Sequence, residues 1–182
     1  MRPALTFIIA TLAQLYLLVM LLRFWLPWLR ADFRNPIAQG ILRLTSPLIV
    51  PVRRIVPPIG RLDSATVIVT FALQYLTILV ILAIGKIPPA ILPVALTSAI
   101  DLALLSLRLF TFAIFIHIIL SWIAPGTFNP ATAFIATLSE PVLRPFRRLV
   151  PPIGGLDISP VFAIILLQAV AIFLGTLRPY GV

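Results

Sequence analysis

The chain has no cysteine, one histidine and five acidic residues among its 182. Without cysteine there is no disulfide, no thiolate nucleophile and no iron–sulfur ligation, and the redox compartment leaves no mark. One histidine with no cluster of ligand residues around it gives no metal site. No H-E-x-x-H, glycine-rich phosphate loop or G-x-S-x-G sequence occurs. The expectation is therefore a non-enzymatic protein with no catalytic residue and no cofactor. Charge is scarce as well. Charged residues make up 10% and hydrophobic residues 61%, whereas soluble domains carry about a quarter charged. This is the composition of an integral membrane protein.

What is present begins with four long apolar runs: Leu5–Leu29, Ala65–Ile84, Ala95–Ile123 and Ile158–Leu177. A spanning helix needs about 20 mostly apolar residues, so each run qualifies. Continuous apolar runs do not alternate as barrel strands do. The first run is too long for a signal-peptide core and no small-residue cleavage site follows it, so it is read as a retained span.

A repeat organises the rest. Read at a spacing of 94 residues, 15 of the 29 positions from Asn35 to Asp63 are identical to those from Asn129 to Asp157. The chain then divides into unit 1 (residues 1–84: span 5–29, connector 30–63, span 65–84), a linker (85–94) and unit 2 (residues 95–182: span 95–123, connector 124–157, span 158–177). The expected fold is all-α: four transmembrane helices in two parallel repeats, each a hairpin with an amphipathic, proline-rich connector. Three prolines in Gly85–Pro93 argue against regular helix in the linker.

The formal net charge of +9 comes from arginine-rich loops, and no nucleic-acid-binding module accompanies it. Nine basic residues lie in the two connectors, and three (Arg2, Lys86 and Arg178) lie on the other side. The positive-inside rule places both connectors in the cytoplasm and both termini outside. Trp25, Trp28 and Trp122 fall at the connector ends of their spans, as an aromatic belt would. Arg23, within a turn of Trp25, is expected to snorkel to that interface.

The connectors are the candidate functional surface. Each opens with Asn-Pro (Asn35-Pro36, Asn129-Pro130), a cap followed by proline at the first helical position. A short interfacial helix should follow, with Ile37, Ile41, Leu44 and Leu48 in one copy and Phe134, Ile135 and Leu138 in the other facing acyl chains or the bundle. Ser46-Pro47 and Glu140-Pro141 read as the start of a second short turn, interrupted at Pro51 and Pro145. Then come Arg53-Arg54 and Arg147-Arg148, and a Pro-Pro-Ile-Gly turn in which Gly60 and Gly154 suit positive φ. Asp63 and Asp157 stand where they can cap the next span. The arginine pairs either set topology and bridge to Asp63 and Asp157, or bind an anionic lipid headgroup or an acidic protein partner. A homo-oligomer is compatible with either.

Intramembrane polar residues form a second group. Gln74 and Gln168 are repeat partners near mid-span, and a hydrogen bond between them would clamp the hairpins. Asp101 and Arg108 share one helical face, two turns apart, with structural pairing expected. Arg108 is deep enough to need an acceptor, and Gln14, its repeat equivalent, is a candidate. These four residues could also line a solute path.

The pattern Asn-Pro, then Pro-x-x-x-Pro-x-Arg-Arg, then Pro-x-x-Gly-x-x-Asp resembles the YggT family, which includes the YlmG proteins of Gram-positive bacteria and chloroplasts. It departs from itself at two places: Arg61 becomes Gly155, and Ser46 becomes Glu140. The resemblance implies a multi-pass protein of the bacterial inner membrane with no established catalytic activity. The roles it implies are tolerance of osmotic or potassium stress, division-related membrane organisation, or assistance to cytochrome haem attachment. With no cysteine and one histidine, the chain offers no thiol or bis-histidine haem site. The leading expectation is a membrane scaffold or assembly factor acting through its connectors on lipid and an unknown membrane-protein partner. The alternative is a small-solute or ion pathway.

Overall fold

The computed structural model describes residues 2–60, 62–123, 126–150 and 157–180. Six helices follow in order: α1 Arg2–Trp28, α2 Pro36–Arg53, α3 Ser64–Gly85, α4 Ile91–Ile123, α5 Pro130–Leu149 and α6 Ser159–Thr176. Helices α1, α3, α4 and α6 are long and apolar enough to cross a membrane. The chain is an all-helical, multi-pass membrane protein. Among the described residues no strand forms beyond an isolated bridge between Ile59 and Leu62.

The spans pack as hairpins α1–α3 and α4–α6, joined along α3–α4, with a smaller α1–α4 contact. Among the described residues α1 and α6 do not touch. Lipid removes the hydrophobic drive between helices, so contacts rely on close packing and hydrogen bonds. Accordingly, small or hydroxylated side chains are buried on the spans, such as Ala65, Thr66, Thr70, Ser98 and Ala163, while Phe7, Leu12, Phe112 and Phe173 point outward.

The linker is shorter than expected. Helix α4 begins at Ile91 and takes Pro93 into its first turn, where a missing N–H costs nothing because first-turn donors lack helical partners anyway. Lys86 closes α3 in the left-handed conformation, φ 57°. Tyr180 then ties the linker down: its hydroxyl donates to the Pro88 carbonyl at 3.4 Å and accepts from the Ala90 N–H at 3.3 Å.

The connectors also differ from expectation. Each holds one continuous helix rather than two short ones, with Pro47 and Pro51 inside α2 and Pro141 and Pro145 inside α5. All four prolines lie on the exposed face, one turn apart. The carbonyls they leave without a donor therefore face outward, where water or headgroups can satisfy them, and the inward ladder survives. Helix α2 has two apolar faces. Ala38, Ile41 and Ile49 are buried, whereas Ile37, Leu44 and Leu48 are exposed. Ile41 thus parts from the other three residues of the expected stripe. In α5 Phe134, Leu138 and Leu143 are buried and Ile135 is half-buried.

The two connector helices meet. Ala38 and Ile41 of α2, Phe134 and Leu138 of α5, and Leu26 and Ala113 of the spans form one core cluster. Asn35 Nδ2 donates to the Pro130 carbonyl at 2.7 Å. Asn35 and Asn129 also cap their own helices: Asn35 accepts from the Ile37 N–H, and Asn129 from those of Ala131 and Thr132. The result is a platform of two amphipathic helices at one end of the bundle.

Candidate functional site

The platform is anchored by an ion cluster in each half. In the first, Asp63 accepts hydrogen bonds from Arg53 and from the Thr66 hydroxyl, the latter at 2.7 Å. Arg23 Nε lies 3.7 Å from the same carboxylate. Arg23 is 4% exposed, so it does not snorkel. Its Nη1 donates to Thr45 Oγ1 at 2.8 Å, and to the Leu42 carbonyl and Ser46 Oγ at 3.3 Å. One guanidinium therefore ties α1 to α2 and to the start of α3. The planar fork of arginine suits this role, because it offers five fixed donors. Asp63 makes no side-chain bond to a backbone N–H of α3. Its Oδ2 serves the Arg53, Thr66 and Arg23 side chains, so it is a junction rather than the expected cap.

In the second half Arg147 donates to Asp157 at 2.7 Å and to Glu140 at 2.6 Å. Asp157 also accepts from the Ser159 N–H at 2.9 Å. His117 Nε2 stands 3.9 Å from Glu140. Counting 94 residues on, His117 replaces Arg23 and Glu140 replaces Ser46. The basic position weakens where a carboxylate has been added, so the first cluster sets two arginines against one carboxylate and the second sets one arginine and a histidine against two. The second cluster's aspartate is far more exposed: Asp157 is 39% exposed, against 10% for Asp63, while Arg53 and Arg147 are similar at 43% and 36%. Gly60 takes φ +60°. Gly154 and its Pro-Pro-Ile neighbours lie outside the described residues.

The arginine pairs therefore divide. Arg53 and Arg147 are held in ion pairs, while Arg54 and Arg148 are exposed and make none among the described residues. Arg43 and Arg144 are exposed and likewise without an ion pair among the described residues. These cations stand beside the exposed apolar residues Leu44, Leu48 and Leu149.

Burial pushes the Asp63 carboxyl upward, but the Thr66 and Arg53 hydrogen bonds and the Arg53 and Arg23 charges outweigh it and hold its pKa below the ordinary value. Asp157 is lowered in the same way: burial opposes, and Arg147 and Ser159 prevail. Folding is thus linked to ionisation. The contribution is complete above the unfolded carboxylate pKa of about 3.9 and is lost as pH falls through the lower folded value. The share of stability carried by these two carboxylates in the detergent-solubilised protein should be flat from neutral pH down to about 5 and fall steeply below about 4. The Asp63→Asn variant should lose part of that acid dependence. An unchanged acid limb in this variant would show that Asp63 carries no linkage.

The intramembrane polar residues fall in two places. Gln74 Nε2 donates to Asp101 Oδ2 at 3.1 Å, and Arg178 pairs with the other oxygen, Oδ1. Gln74 is thus bonded across α3–α4 to Asp101 and not to Gln168. Asp101 is bonded to Arg178 and not to Arg108. Gln168, Arg108, Gln14 and Thr11 instead line a cleft of about 780 Å³ between α1, α4 and α6. Arg108 is exposed there. A bare arginine at mid-helix costs about 2.5–3.5 kcal/mol to insert. Trp25 is not a belt residue either. It is half-buried, donates to Ser106 at 3.3 Å and packs edge-on against Phe110 at 5.0 Å between ring centres. Trp28 and Trp122 are exposed. Among the described residues no group of histidine, aspartate and glutamate side chains could hold a metal ion.

A family description for CCB3/YggT matches residues 3–84 and again 96–178, covering most of the chain. The chain belongs to the CCB3/YggT family. It is 42% identical over 173 residues to the uncharacterised protein PA0392 of Pseudomonas aeruginosa, covering 93% of this chain and 87% of that one. It is 34% identical over 167 residues to the uncharacterised protein YggT of Escherichia coli K12, covering 91% and 86%. YlmG homolog protein 2, a chloroplast protein of Arabidopsis thaliana, is 35% identical over 66 residues, which is 35% of this chain and 25% of that one. No solved structure matches the chain.

Proposed function

We propose that this family member is a non-enzymatic scaffold or assembly factor of the bacterial inner membrane. It acts through the cytoplasmic face of its two connector helices on anionic lipid and a membrane-protein partner. The observation that carries this reading is the platform itself. Two amphipathic helices are locked to each other through Asn35 and to the bundle through Arg23 and Asp63, leaving Arg43, Arg54, Arg144 and Arg148 exposed and without an ion pair among the described residues. A surface with no assignment would not need that rigidity, and each basic group near an anionic membrane adds about 1 kcal/mol of attraction.

The solute-path alternative has less support. Gln74 and Asp101 bond to each other within the α3–α4 contact, whereas the cleft lined by Arg108 and Gln168 lies farther along the same face of α4 and includes neither of them. The four do not share one wall.

The test separates the arginines by geometry. Changing Arg54 and Arg148 together to Gln should leave unfolding in detergent unchanged. It should reduce by several-fold the peptide-to-lipid contact of the platform, read by fluorescence of a connector probe in vesicles with and without anionic lipid, and should impair complementation of a deletion strain. Full complementation with unchanged lipid contact would reject the scaffold reading, and solute uptake by the purified protein in vesicles would favour the path. Orientation is checked in the same strains: reporters fused after Asp32 and after Ala131 should both be cytoplasmic, and one at Pro89 periplasmic.

A further inference from the structure

The cleft between α1, α4 and α6 marks where the bundle's internal symmetry fails. At a spacing of 94 residues, the contact of α3 with α4 corresponds to one of α6 with α1. The first exists and the second does not. The reason is readable in two residues. On the closed side Gln74 donates to Asp101. On the open side Gln168 corresponds to Gln74, but Phe7 stands in the place of Asp101. Phe7 offers no acceptor and points outward.

Depth narrows what can fill the gap. Gln168 is the tenth of the 18 residues of α6, a helix of about 27 Å at 1.5 Å per residue. That length is close to the hydrocarbon thickness of about 30 Å, so Gln168 lies near the midplane, about 15 Å from either edge of the hydrocarbon and farther still from the lipid phosphates. Gln14 and Arg108 line the same cleft. An acyl chain can fill such a groove but has no acceptor for a guanidinium.

A second copy has no acceptor to spare either. Of the five side-chain carboxylates, Asp63, Glu140 and Asp157 pair with Arg53 or Arg147 at the platform. Asp101 is held by Arg178 and Gln74. Asp32 lies on the connector, beyond the end of α1, and accepts from the Arg34 N–H. Arg108 makes no ion pair or hydrogen bond among the described residues.

The geometry points to a docking site for one transmembrane helix of another protein, bearing an aspartate or glutamate near its mid-depth. That carboxylate would receive Arg108 and Gln168 as Asp101 receives Arg178 and Gln74. The precedent is in the same molecule: an acid on a span, answered by one amide and one guanidinium. Phe112 and Leu15 supply apolar flanks. The inference rests on the scaffold reading only in taking a protein as occupant, and it assigns the contact to the cleft rather than to the platform.

The absence of native cysteine makes the test clean. The full chain with Phe115→Cys, at the cleft wall, is labelled with a fluorophore and placed in vesicles of zwitterionic lipid. It is titrated with quencher-labelled leucine–alanine host helices that carry Glu, Gln or Leu at the centre. The Glu helix should bind at least tenfold more tightly than the Leu helix. Arg108→Leu should abolish that preference without impairing insertion, since it removes a charge from an exposed intramembrane position. Gln168→Leu should reduce the preference, and Arg108→Lys should retain part of it. Equal binding of Glu and Leu helices, or a preference that survives Arg108→Leu, would overturn the proposal. So would quenching by a second labelled copy of the chain that the Glu helix cannot displace. The variant with Arg54→Gln and Arg148→Gln should keep the preference in full, so failure of the platform reading and failure of the cleft reading give different results.

Discussion

Changing Asp63 to Leu should cost about 3–5 kcal/mol of folding stability, because it leaves a buried arginine without its counter-charge. Arg23 is 4% exposed and would be left with only the Thr45 and Ser46 hydroxyls and the Leu42 carbonyl. Arg23→Leu should cost less, about 1–3 kcal/mol for a lost charge-assisted hydrogen-bond set, since Asp63 keeps Arg53 and Thr66. The double variant should lose much less than the sum of the two, as contacting residues in one network do. The matching change in the second half, Asp157→Leu, should cost less, about 0.5–2 kcal/mol for the lost bond to the Ser159 N–H, because the ion pair is exposed and Arg147 retains Glu140. Unfolding in mixed detergent micelles, followed by helical circular dichroism, reads all four. Equal losses at Asp63 and Asp157 would remove the case for a buried junction in the first half alone.

The same junction shows how far the sequence could be read. The four spans are legible because length and apolar composition leave a membrane helix no alternative. The Asn-Pro caps are legible because asparagine and proline act locally. Burial of Arg23 is not legible that way. An arginine one turn from tryptophan near a span end has the local pattern of a snorkelling residue, and only the approach of α2 encloses it. A signal did exist at long range. Arg23 and His117 occupy equivalent positions, as do Ser46 and Glu140, and a basic group held at both copies points to a shared partner rather than to the interface. The continuous connector helices were hidden for a different reason. Proline is read as a breaker one residue at a time, yet prolines at 47 and 51, and at 141 and 145, share one exposed face and leave the inward hydrogen bonds intact. The division of Arg53 from Arg54 also needs three dimensions. Adjacent residues on a helix point about 100° apart, so only one of the two can reach Asp63.

The intramembrane junction carries the other large expected effect. Changing Asp101 to Leu removes at once the ion pair with Arg178 and the acceptor of Gln74. The loss should be about 2–4 kcal/mol, being a charge-assisted bond together with an unsatisfied amide. It should remain below the loss at Asp63, because Arg178 lies past the end of α6 and is 25% exposed, so water can reach it. Gln74→Leu should cost about 0.6–2 kcal/mol, the range for an interhelical hydrogen bond in a membrane. With Asp101 already changed, Gln74→Leu should cost almost nothing further, since its partner is gone. Gln168→Leu should leave the isolated protein's stability within about 0.5 kcal/mol, as for a surface substitution, because its side chain faces the open cleft. Two residues at equivalent positions would then differ sharply in what they hold. A loss at Gln168 equal to that at Gln74 would mean the cleft is closed in the folded protein, with α6 packed on α1 and the hairpins symmetric after all.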